Sequence, residues 1–234
     1  MFCYEMHAHC REVSACGQST ALEMVEAYEK AGFAGIVFTD HFIHGNTAIS
    51  RKLPWEERMH AYFAPYTAAK VRGEELGVDV IVCLEHAYGK GKEVLVYGDI
   101  TPEVLAAEPT LATVSIEEFA DFCHKQGWFV AQAHPYRVRD YIDMSVQPIP
   151  ELLDGVEVYN HCNRLEENIK AMELCEQNGL IPISGSDTHS VSLCGRAGLA
   201  FPKRIFNGKQ LAEALFSGSG RLIVNGEIES EQKI

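Results

Sequence analysis

The sequence predicts an α/β protein in which a parallel sheet is wrapped by helices. Short apolar runs alternate with segments of helical spacing from one end of the chain to the other, and glycines follow several of the helical segments. Strand and helix alternating about seven times is typical of parallel sheets. An open doubly wound sheet and a closed barrel both satisfy this pattern, because both bury fully apolar strands.

The first half of the chain predicts four strands and two helices. Residues 3–7 form a strand, and STALEMVEAYEKAGF has helical spacing that stops at Gly32. GIVFTD, residues 35–40, is a short β-branched strand. Residues 55–76 predict one long helix closed by Gly77, and the strands VDVIVCLE and EVLVYG follow it.

The second half continues the same alternation. SIEEFADFCHKQG begins with a capping-box pattern, Ser115 and Glu118, and ends at Gly127. The remaining segments are the strands WFVAQAH and GVEVYN, a helix over 164–177, the strand LIPISGSD, the helix GKQLAEALFSG and the strand RLIVNG. With 234 residues, 47% of them hydrophobic, we expect a single domain over residues 1–234.

Composition narrows the class of protein. The net charge of −13 disfavours a broad surface for long nucleic acid. No apolar run reaches the length of a membrane span, and no signal-peptide pattern is visible, so we expect no membrane association. The eight cysteines are scattered without CxxC pairs, which favours a reduced, cytoplasmic protein over a disulfide framework.

Metal-ligand residue types recur at the ends of the predicted strands. His7 and His9 are spaced so that an extended segment points both to the same side. Each such motif is weak alone, but in an α/β barrel the strand C-terminal ends form one active-site face. Histidines with carboxylates suit Zn²⁺, Mn²⁺ or Fe²⁺. The later positions are Asp40 and His41, Glu85, His134, Asn160, and Asp187 and His189.

These motifs occur in an order that resembles the PHP (polymerase and histidinol phosphatase) family. The order is HAH, TDH, a glutamate after the third strand, HPYR, EVYN and SGSDTH, and HCREVSACG followed by GFAGIVFTDHF resembles the stand-alone members. The likeness extends from His7 to about Gly198. It implies a distorted (β/α)7 TIM-like barrel, the PHP fold, with two or three divalent transition metals (Zn, Mn or Fe) that support hydrolysis of phosphoric esters.

The resemblance also implies the ligands, with Glu85 bridging two ions. Two positions depart from the family pattern. Leu95 stands where a fourth-strand histidine is usual, which leaves the second ion short of a ligand. Ala15 or Cys16 falls near the usual third-site ligand, so Glu12 is the expected substitute and Cys16 the weaker candidate. The resemblance places His7, His9, Glu85 and Asp187 on the first ion, Glu85 and His134 on the second, and His41 and His189 on the third.

Two such ions could activate a bound water for attack on phosphorus. Glu85, Asp187 and His189 are the candidate catalytic residues, the last two as general acid only if a metal does not fully engage them. Arginines fork onto phosphate oxygens, and the resemblance favours Arg164 and Arg196 as phosphate clamps. Arg137 is a weaker candidate, and surface salt bridging is the alternative for all three.

We also expect several supporting side chains around these ligands. Asp40 either hydrogen-bonds a ligand histidine or caps a helix. Glu157 and Asn160 are expected to orient ligands, with the alternative that Asn160 merely ends a strand. His44 and His161 are expected to line the pocket.

The leading prediction is therefore a phosphoesterase for a small phosphorylated substrate, either a phosphomonoester or a short phosphodiester. Two alternatives stay open: an amidohydrolase-type metal hydrolase, which also uses an HxH pair, and a non-catalytic, metal-poor regulatory domain.

Overall fold

The computed structural model describes residues 1–230, which form eleven strands and seven α-helices. The strands are β1 Phe2–Ala8, β2 Gly35–Phe38, β3 Asp79–Val82, β4 Leu84–Gly89, β5 Lys92–Tyr97, β6 Phe129–Gln132, β7 Gly155–Asn160, β8 Ile181–Gly185, β9 Gly198–Phe201, β10 Arg221–Val224 and β11 Glu227–Ile228. The helices are α1 Ala21–Lys30, α2 Trp55–Phe63, α3 Pro65–Leu76, α4 Pro102–Ala106, α5 Ile116–Lys125, α6 Leu165–Asn178 and α7 Gly208–Phe216.

The strands are divided between two sheets, in the orders β11-β10-β9-β1-β2-β3 and β4-β5-β6-β7-β8. Four ladders are parallel: β1 with β2, β2 with β3, β6 with β7, and β7 with β8. The other ladders are antiparallel, including β4 with β5. Only Lys90 and Gly91 separate these two strands, whereas a parallel pair needs a crossover of a dozen or more residues. The α/β class is confirmed, but the sheets are not wholly parallel.

The two sheets approach each other at two isolated parallel bridges. Ala8 at the end of β1 pairs with Thr188 beyond β8, and His41 beyond β2 pairs with Glu85 in β4. Residues 1–230 contain two sheets and no closed barrel, so the TIM-like form of the predicted fold is not confirmed. The bridges nevertheless bring the ends of four strands to one place.

The predicted long helix over 55–76 is two helices, α2 and α3, that meet at Ala64. Pro65 occupies the first turn of α3 and has no backbone N–H to continue the hydrogen bonds of α2. Proline is well suited to a first helical turn, where that donor would be unpaired. The predicted stop at Gly77 is confirmed, with a left-handed φ of 74°.

A buried apolar core fixes the sheets beneath the site. The last five residues of β1 are buried, and β2 and β6 are buried along their whole lengths. The side-chain caps of α1 and α5 are both capping boxes, from Thr20 with Glu23 and from Ser115 with Glu118 as predicted. Across residues 1–230, every helix is too short or too polar to cross a membrane.

Candidate metal centre

The predicted ligand side chains meet where the two sheets approach each other. His7 lies within β1, His9 follows it, and His41 lies shortly after β2. The side chains of the cluster are buried, apart from Glu93 and His189, which are partly buried. The other side chains of this cluster are Glu85 in β4, Glu93 in β5, His134 after β6, and Asp187 and His189 after β8.

The four side chains predicted for the first ion form one compact group. His7 Nε2 lies 3.2 Å from Glu85 Oε1 and 3.5 Å from Asp187 Oδ1. His9 Nε2 lies 3.0 Å from His7 Nε2 and 3.2 Å from Asp187 Oδ1. Ligands about 2.1 Å from a tetrahedral ion stand about 3.4 Å from one another. The spacing of these donor atoms therefore fits a single ion.

Glu85 has the geometry of a bridging carboxylate. Its Oε1 lies 3.2 Å from Nε2 of His7 and 3.2 Å from Nε2 of His134. Its Oε2 lies 2.7 Å from Nδ1 of His41 and 3.7 Å from Nε2 of His9. Each oxygen thus faces imidazoles from different parts of the chain, as a carboxylate between two ions requires.

Two buried polar atoms in this group have no hydrogen-bond partner. They are His41 Nδ1 and Glu85 Oε2, which approach to 2.7 Å without the alignment of a hydrogen bond. Leaving buried donors or acceptors unpaired costs about 1–3 kcal/mol each. A cation bound between the two side chains would satisfy both atoms, so the donor set fits a metal ion.

Glu93 is a further candidate ligand that sequence reasoning missed. Its carboxylate lies 3.3 Å from His41 Nδ1 and 3.6 Å from His134 Nε2, and the group formed by His41, Glu85 and Glu93 could hold an ion. Leu95, which marked the apparent gap, pairs across the ladder with Glu85. Strand side chains two residues apart lie on the same face. Glu93 therefore lies on the face of Leu95, and this spacing was the signal that could have identified it as a ligand.

Glu12 does not reach the cluster, which corrects its expected role as a ligand. Its carboxylate oxygens accept from the backbone N–H of Ala21, at 3.3 and 3.2 Å, at the start of α1. Acidic groups are favourable at that end of a helix. Cys16, the weaker candidate, is the residue that lies at the cluster, with Sγ 3.1 Å from Nε2 of His189.

A buried carboxylate outside the ligand group orients His7. Glu157 Oε1 accepts from His7 Nδ1 at 2.8 Å, which leaves Nε2 directed at the cluster. Glu157 Oε2 accepts from the backbone N–H of His134 at 2.9 Å and from Nδ2 of Asn160 at 3.0 Å. Partners of this kind fix the tautomer and orientation of ligand histidines.

His9 is oriented in the same way through a hydroxyl. Ser14 Oγ lies 3.1 Å from His9 Nδ1 and donates to Asp40 Oδ1 at 2.6 Å. Asp40 therefore acts on His9 through Ser14, and its own side chain also accepts from the backbone N–H of Cys10. The His9 Nε2 atom is left facing Asp187 and Glu85.

Charge in the cluster keeps its carboxylates ionised. Burial alone would raise the pKa of Glu85, but charges on His7 and His41 outweigh it and hold the pKa well below its ordinary value. The pKa of Asp187 is likewise held low against burial, mainly by Arg137. Burial and the neighbouring His41 lower the pKa of His9 to about 3, so this ring stays neutral and can donate a lone pair.

Two ligand positions have strained backbones. His134 has φ 25° and Asp187 has φ 51°, in a backbone region that residues other than glycine rarely adopt. Such conformations cost about 1–3 kcal/mol and tend to occur at functional sites. Their presence at two of the predicted ligands indicates that the surrounding structure fixes where these side chains point.

The three arginines are placed differently from what we expected. Arg137 is buried and donates through Nη1 to Asp187 Oδ2 at 2.5 Å, so it holds a candidate ligand. Arg164 is exposed at the start of α6, 3.8 Å from Glu166. Arg196 is also exposed, and neither it nor Arg164 lines the cavity at the cluster. The described structure thus places both arginines outside the lining of this cavity, and their phosphate-clamp role stays a prediction.

A cavity of about 530 Å³ opens onto the cluster. Its cationic lining consists of Lys90 and the already engaged Arg137, and Tyr141 and His44 form part of its wall. His44 lines the cavity as predicted, whereas His161 lies outside it. A space of this size suits a small molecule.

Several known proteins resemble this chain in sequence or in fold. A family model described as PHP-associated matches residues 166–219. A proposed metal-dependent phosphoesterase from Bifidobacterium adolescentis superposes with a TM-score of 0.57 at 16% identity, covering 92% of this chain and 96% of that one. No curated protein matches the chain.

Two other solved structures share the fold. A two-domain protein from Bacteroides vulgatus, containing a proposed PHP-like metal-dependent phosphoesterase, gives a TM-score of 0.67 at 16% identity over 96% of this chain and 65% of that one. An amidohydrolase from Chromobacterium violaceum gives 0.51 at 15% identity over 80% and 87% of the two chains.

Fold and site together define a mixed α/β protein with a buried histidine–carboxylate cluster suited to divalent metal ions. The PHP-associated match over residues 166–219 agrees with the family that the motif order predicted, and the solved structures show a shared fold.

Proposed function

We propose that this chain is a metal-dependent phosphoesterase that hydrolyses a small phosphomonoester or a short phosphodiester, acting as one domain over residues 1–234. The observation that carries the proposal is Glu85, whose two oxygens face separate sets of imidazoles at 2.7–3.7 Å. Paired metal sites of this kind serve in-line displacement at phosphorus. The phosphoesterase neighbours agree with it.

The chain's own residues would hold and orient this centre. When bound, divalent ions supply an activated water and polarise the phosphoryl oxygens. His7 and His9 present their Nε2 atoms because Glu157 and Ser14 engage the opposite ring nitrogens. Glu85 holds two positions together, and Glu93 completes the one that lacks the usual histidine.

Asp187 acts in this scheme as a ligand rather than as a proton donor. Its Oδ2 accepts from Arg137, and its Oδ1 faces His7 and His9. Its lowered pKa leaves no proton to give to a leaving group near neutral pH. His189 is also engaged, because Nδ1 lies 2.9 Å from the Asp187 carbonyl oxygen and Nε2 faces Cys16.

The substrate would be small and bound largely through the metal cluster. The cavity has a volume of about 530 Å³. Of the two cations on its wall, Arg137 is paired with Asp187, and Lys90 has no ion pair among the described contacts and could bind a phosphate. The overall charge of −13 would repel a long polyanion. Phosphomonoesters such as histidinol phosphate or a nucleotide fit these limits.

The test is a substrate panel on metal-free protein reloaded separately with Mn²⁺, Zn²⁺ or Fe²⁺. We expect phosphate release with at least one ion, and a loss of more than about 100-fold when His7 and His9 are both replaced by alanine, since even outer partners of ligands cost 10–100-fold. The exposed His60→Ala is the matched control. Undiminished turnover in the double variant would overturn the site.

The amidohydrolase neighbour from Chromobacterium violaceum favours a second candidate, hydrolysis of amides or lactones. Adding these substrates to the same panel separates the two reactions, since the proposal requires faster turnover of the phosphoesters. Elemental analysis separates both from a regulatory domain. Less than one transition-metal ion per chain after careful preparation would favour the non-catalytic alternative.

A further inference from the structure

The segment after β1 places one thiol at the edge of the metal cluster. Cys16 Sγ lies 3.1 Å from Nε2 of His189, and Cys16 and His41 line the same cavity. Sulfur and imidazole nitrogen are the donor types that zinc combines in its protein sites. A thiol that contacts one predicted ligand and lines the cavity with another is therefore chemically distinct from a thiol buried as a small hydrophobe.

The backbone on both sides of Cys16 is held in place. Ala15 N–H donates to the Asn46 carbonyl at 2.8 Å, and Gln18 N–H donates to the His189 carbonyl at 2.8 Å. Gly17 packs so closely that an added Cβ would lie 2.5 Å from the backbone of Cys10 and Arg11. The loop therefore fixes the thiol against His189 rather than leaving it free to turn away.

An independent observation indicates that this position takes a cation. Donor atoms of His9, His41 and His189 lie within 4.8 Å of one another, a spacing that could hold an ion. His41 is 8% exposed, and its Nδ1 has no hydrogen-bond partner. The expected oxygen ligand, Glu12, is instead bound to the start of α1.

We propose that Cys16 supplies a thiolate ligand, with His41 and His189, to a metal ion at this edge of the cluster, and that this position selects a thiophilic ion such as Zn²⁺. The inference rests on the proposed metal-dependent function. Thiolate favours zinc over manganese, whereas the neighbouring histidine–carboxylate positions accept either. The centre would thus combine positions of different metal preference.

The other cysteines near the site lack these contacts. Cys162 Sγ approaches the Asp187 carbonyl oxygen at 3.8 Å. Cys10 is buried, and its Sγ lies 3.9 Å from the hydroxyl of Tyr66. Cys162, which is exposed, is therefore the matched control for a substitution at Cys16.

Absorption spectroscopy of metal-free protein reloaded with Co²⁺ tests the assignment. A cobalt–thiolate bond gives a charge-transfer band in the near ultraviolet that histidine and carboxylate ligands do not give. We expect the band in the wild type and in Cys162→Ser, and its loss in Cys16→Ser while the histidine–carboxylate positions still bind cobalt. A band that persists in Cys16→Ser, or a cobalt-loaded wild type without one, would overturn the proposal.

A second measurement needs no variant. Zinc should protect Cys16 of the wild-type protein from alkylation by iodoacetamide, read peptide by peptide by mass spectrometry, while Cys162 reacts at an unchanged rate. Equal rates for Cys16 with and without zinc would contradict the assignment. If the protein shows the thiolate band but hydrolyses no phosphoester, the proposed function is refuted and this inference is not. If the enzyme is active but shows no band, this inference is refuted and the proposed function is not.

Discussion

Replacing Arg137 with methionine would test how the buried carboxylate of Asp187 is held. The Arg137 guanidinium donates to Asp187 Oδ2 at 2.5 Å, to Asn160 Oδ1 at 2.8 Å and to Asn163 Oδ1 at 2.7 Å. Methionine keeps much of the apolar stem but none of these donors. The variant therefore removes one side of a buried ion pair without opening a large cavity.

The expected cost follows from these contacts. Breaking a buried pair by removing one partner costs about 3–5 kcal/mol, because the other charge stays buried without compensation. Asn160 Oδ1 keeps a second donor, the N–H of Cys162 at 2.9 Å, so losing the hydrogen bond from Arg137 to Asn160 adds little to the cost in stability. We expect Arg137→Met to lower the free energy of unfolding of metal-free protein by about 4 kcal/mol. Arg137→Lys keeps the charge but not the fork, and should cost about 1–2 kcal/mol.

Urea unfolding of metal-free protein near neutral pH measures this difference as a shift in midpoint at constant slope. The pKa of Asp187 is depressed in the fold, so its stabilisation is present above the unfolded pKa of about 3.9 and is lost as pH falls through the folded value. The difference from wild type should therefore shrink in acid. The difference should also shrink with saturating Zn²⁺, since a bound cation compensates the unpaired charge of buried Asp187.

A loss smaller than about 1 kcal/mol in the metal-free Arg137→Met protein would refute this account, since buried pairs broken on one side cost several times more. Equal losses for the methionine and lysine variants would also refute it, because they would show that the charge itself is unimportant. Either result would return Arg137 to the set of candidate phosphate ligands.

Three further predictions concern residues around the same cluster. Glu93→Gln should lower metal content by one ion per chain and slow hydrolysis at least about 10-fold, while the exposed Glu103→Gln leaves both unchanged. Gly185→Ala should cost about 1–3 kcal/mol in thermal unfolding and weaken metal binding, because its Cβ would lie 2.5 Å from that of His7. Burial lowers the pKa of His86 to about 3, so wild-type stability falls as pH drops below the unfolded value of about 6.5. His86→Leu should therefore gain about 2 kcal/mol relative to wild type between pH 6.5 and pH 5 in urea titrations, and a constant difference would contradict this.

Most ligands of the cluster could be predicted from the sequence, because local hydrophobic patterns indicate where strands end. His7 and His9 follow an apolar run at a spacing that puts both on one face, and Asp187 follows another such run. Glu93 was missed because it lies at the start of an antiparallel strand rather than at the end of a parallel one. The stretch YGKGKEV, which spans the end of β4 and the start of β5, contained the signal of a tight turn, and that turn reverses the strand direction.

Sheet membership was not readable in the same way. VDVIVCLE looks like one apolar strand, yet β3 ends at Val82 and β4 begins at Leu84 in the other sheet. Both parts are buried, so hydrophobic periodicity gives no sign of the division. Which sheet a strand joins depends on partners far along the chain, and a single sequence does not state them.

The arginines show a related limit. Arg137, Arg164 and Arg196 each follow a motif, but the guanidinium of Arg137 is buried against Asp187 while the other two are exposed. Local sequence places a cation near a motif without telling whether it faces a substrate or a carboxylate of the protein. Burial decides between these roles, and burial is a property of the whole fold.

The charge balance of the cluster connects its metal-free state with its proposed one. Glu85, Glu93 and Asp187 bring three carboxylates to one place, and the guanidinium of Arg137 pairs with one of them. Without metal, the excess negative charge outweighs burial and raises the pKa of His7 and His41 well above the ordinary value. Metal ions bind neutral imidazole, so they must displace those protons. The metal affinity of this site should consequently fall as pH is lowered, and loading metal-free protein in weak buffer should release protons.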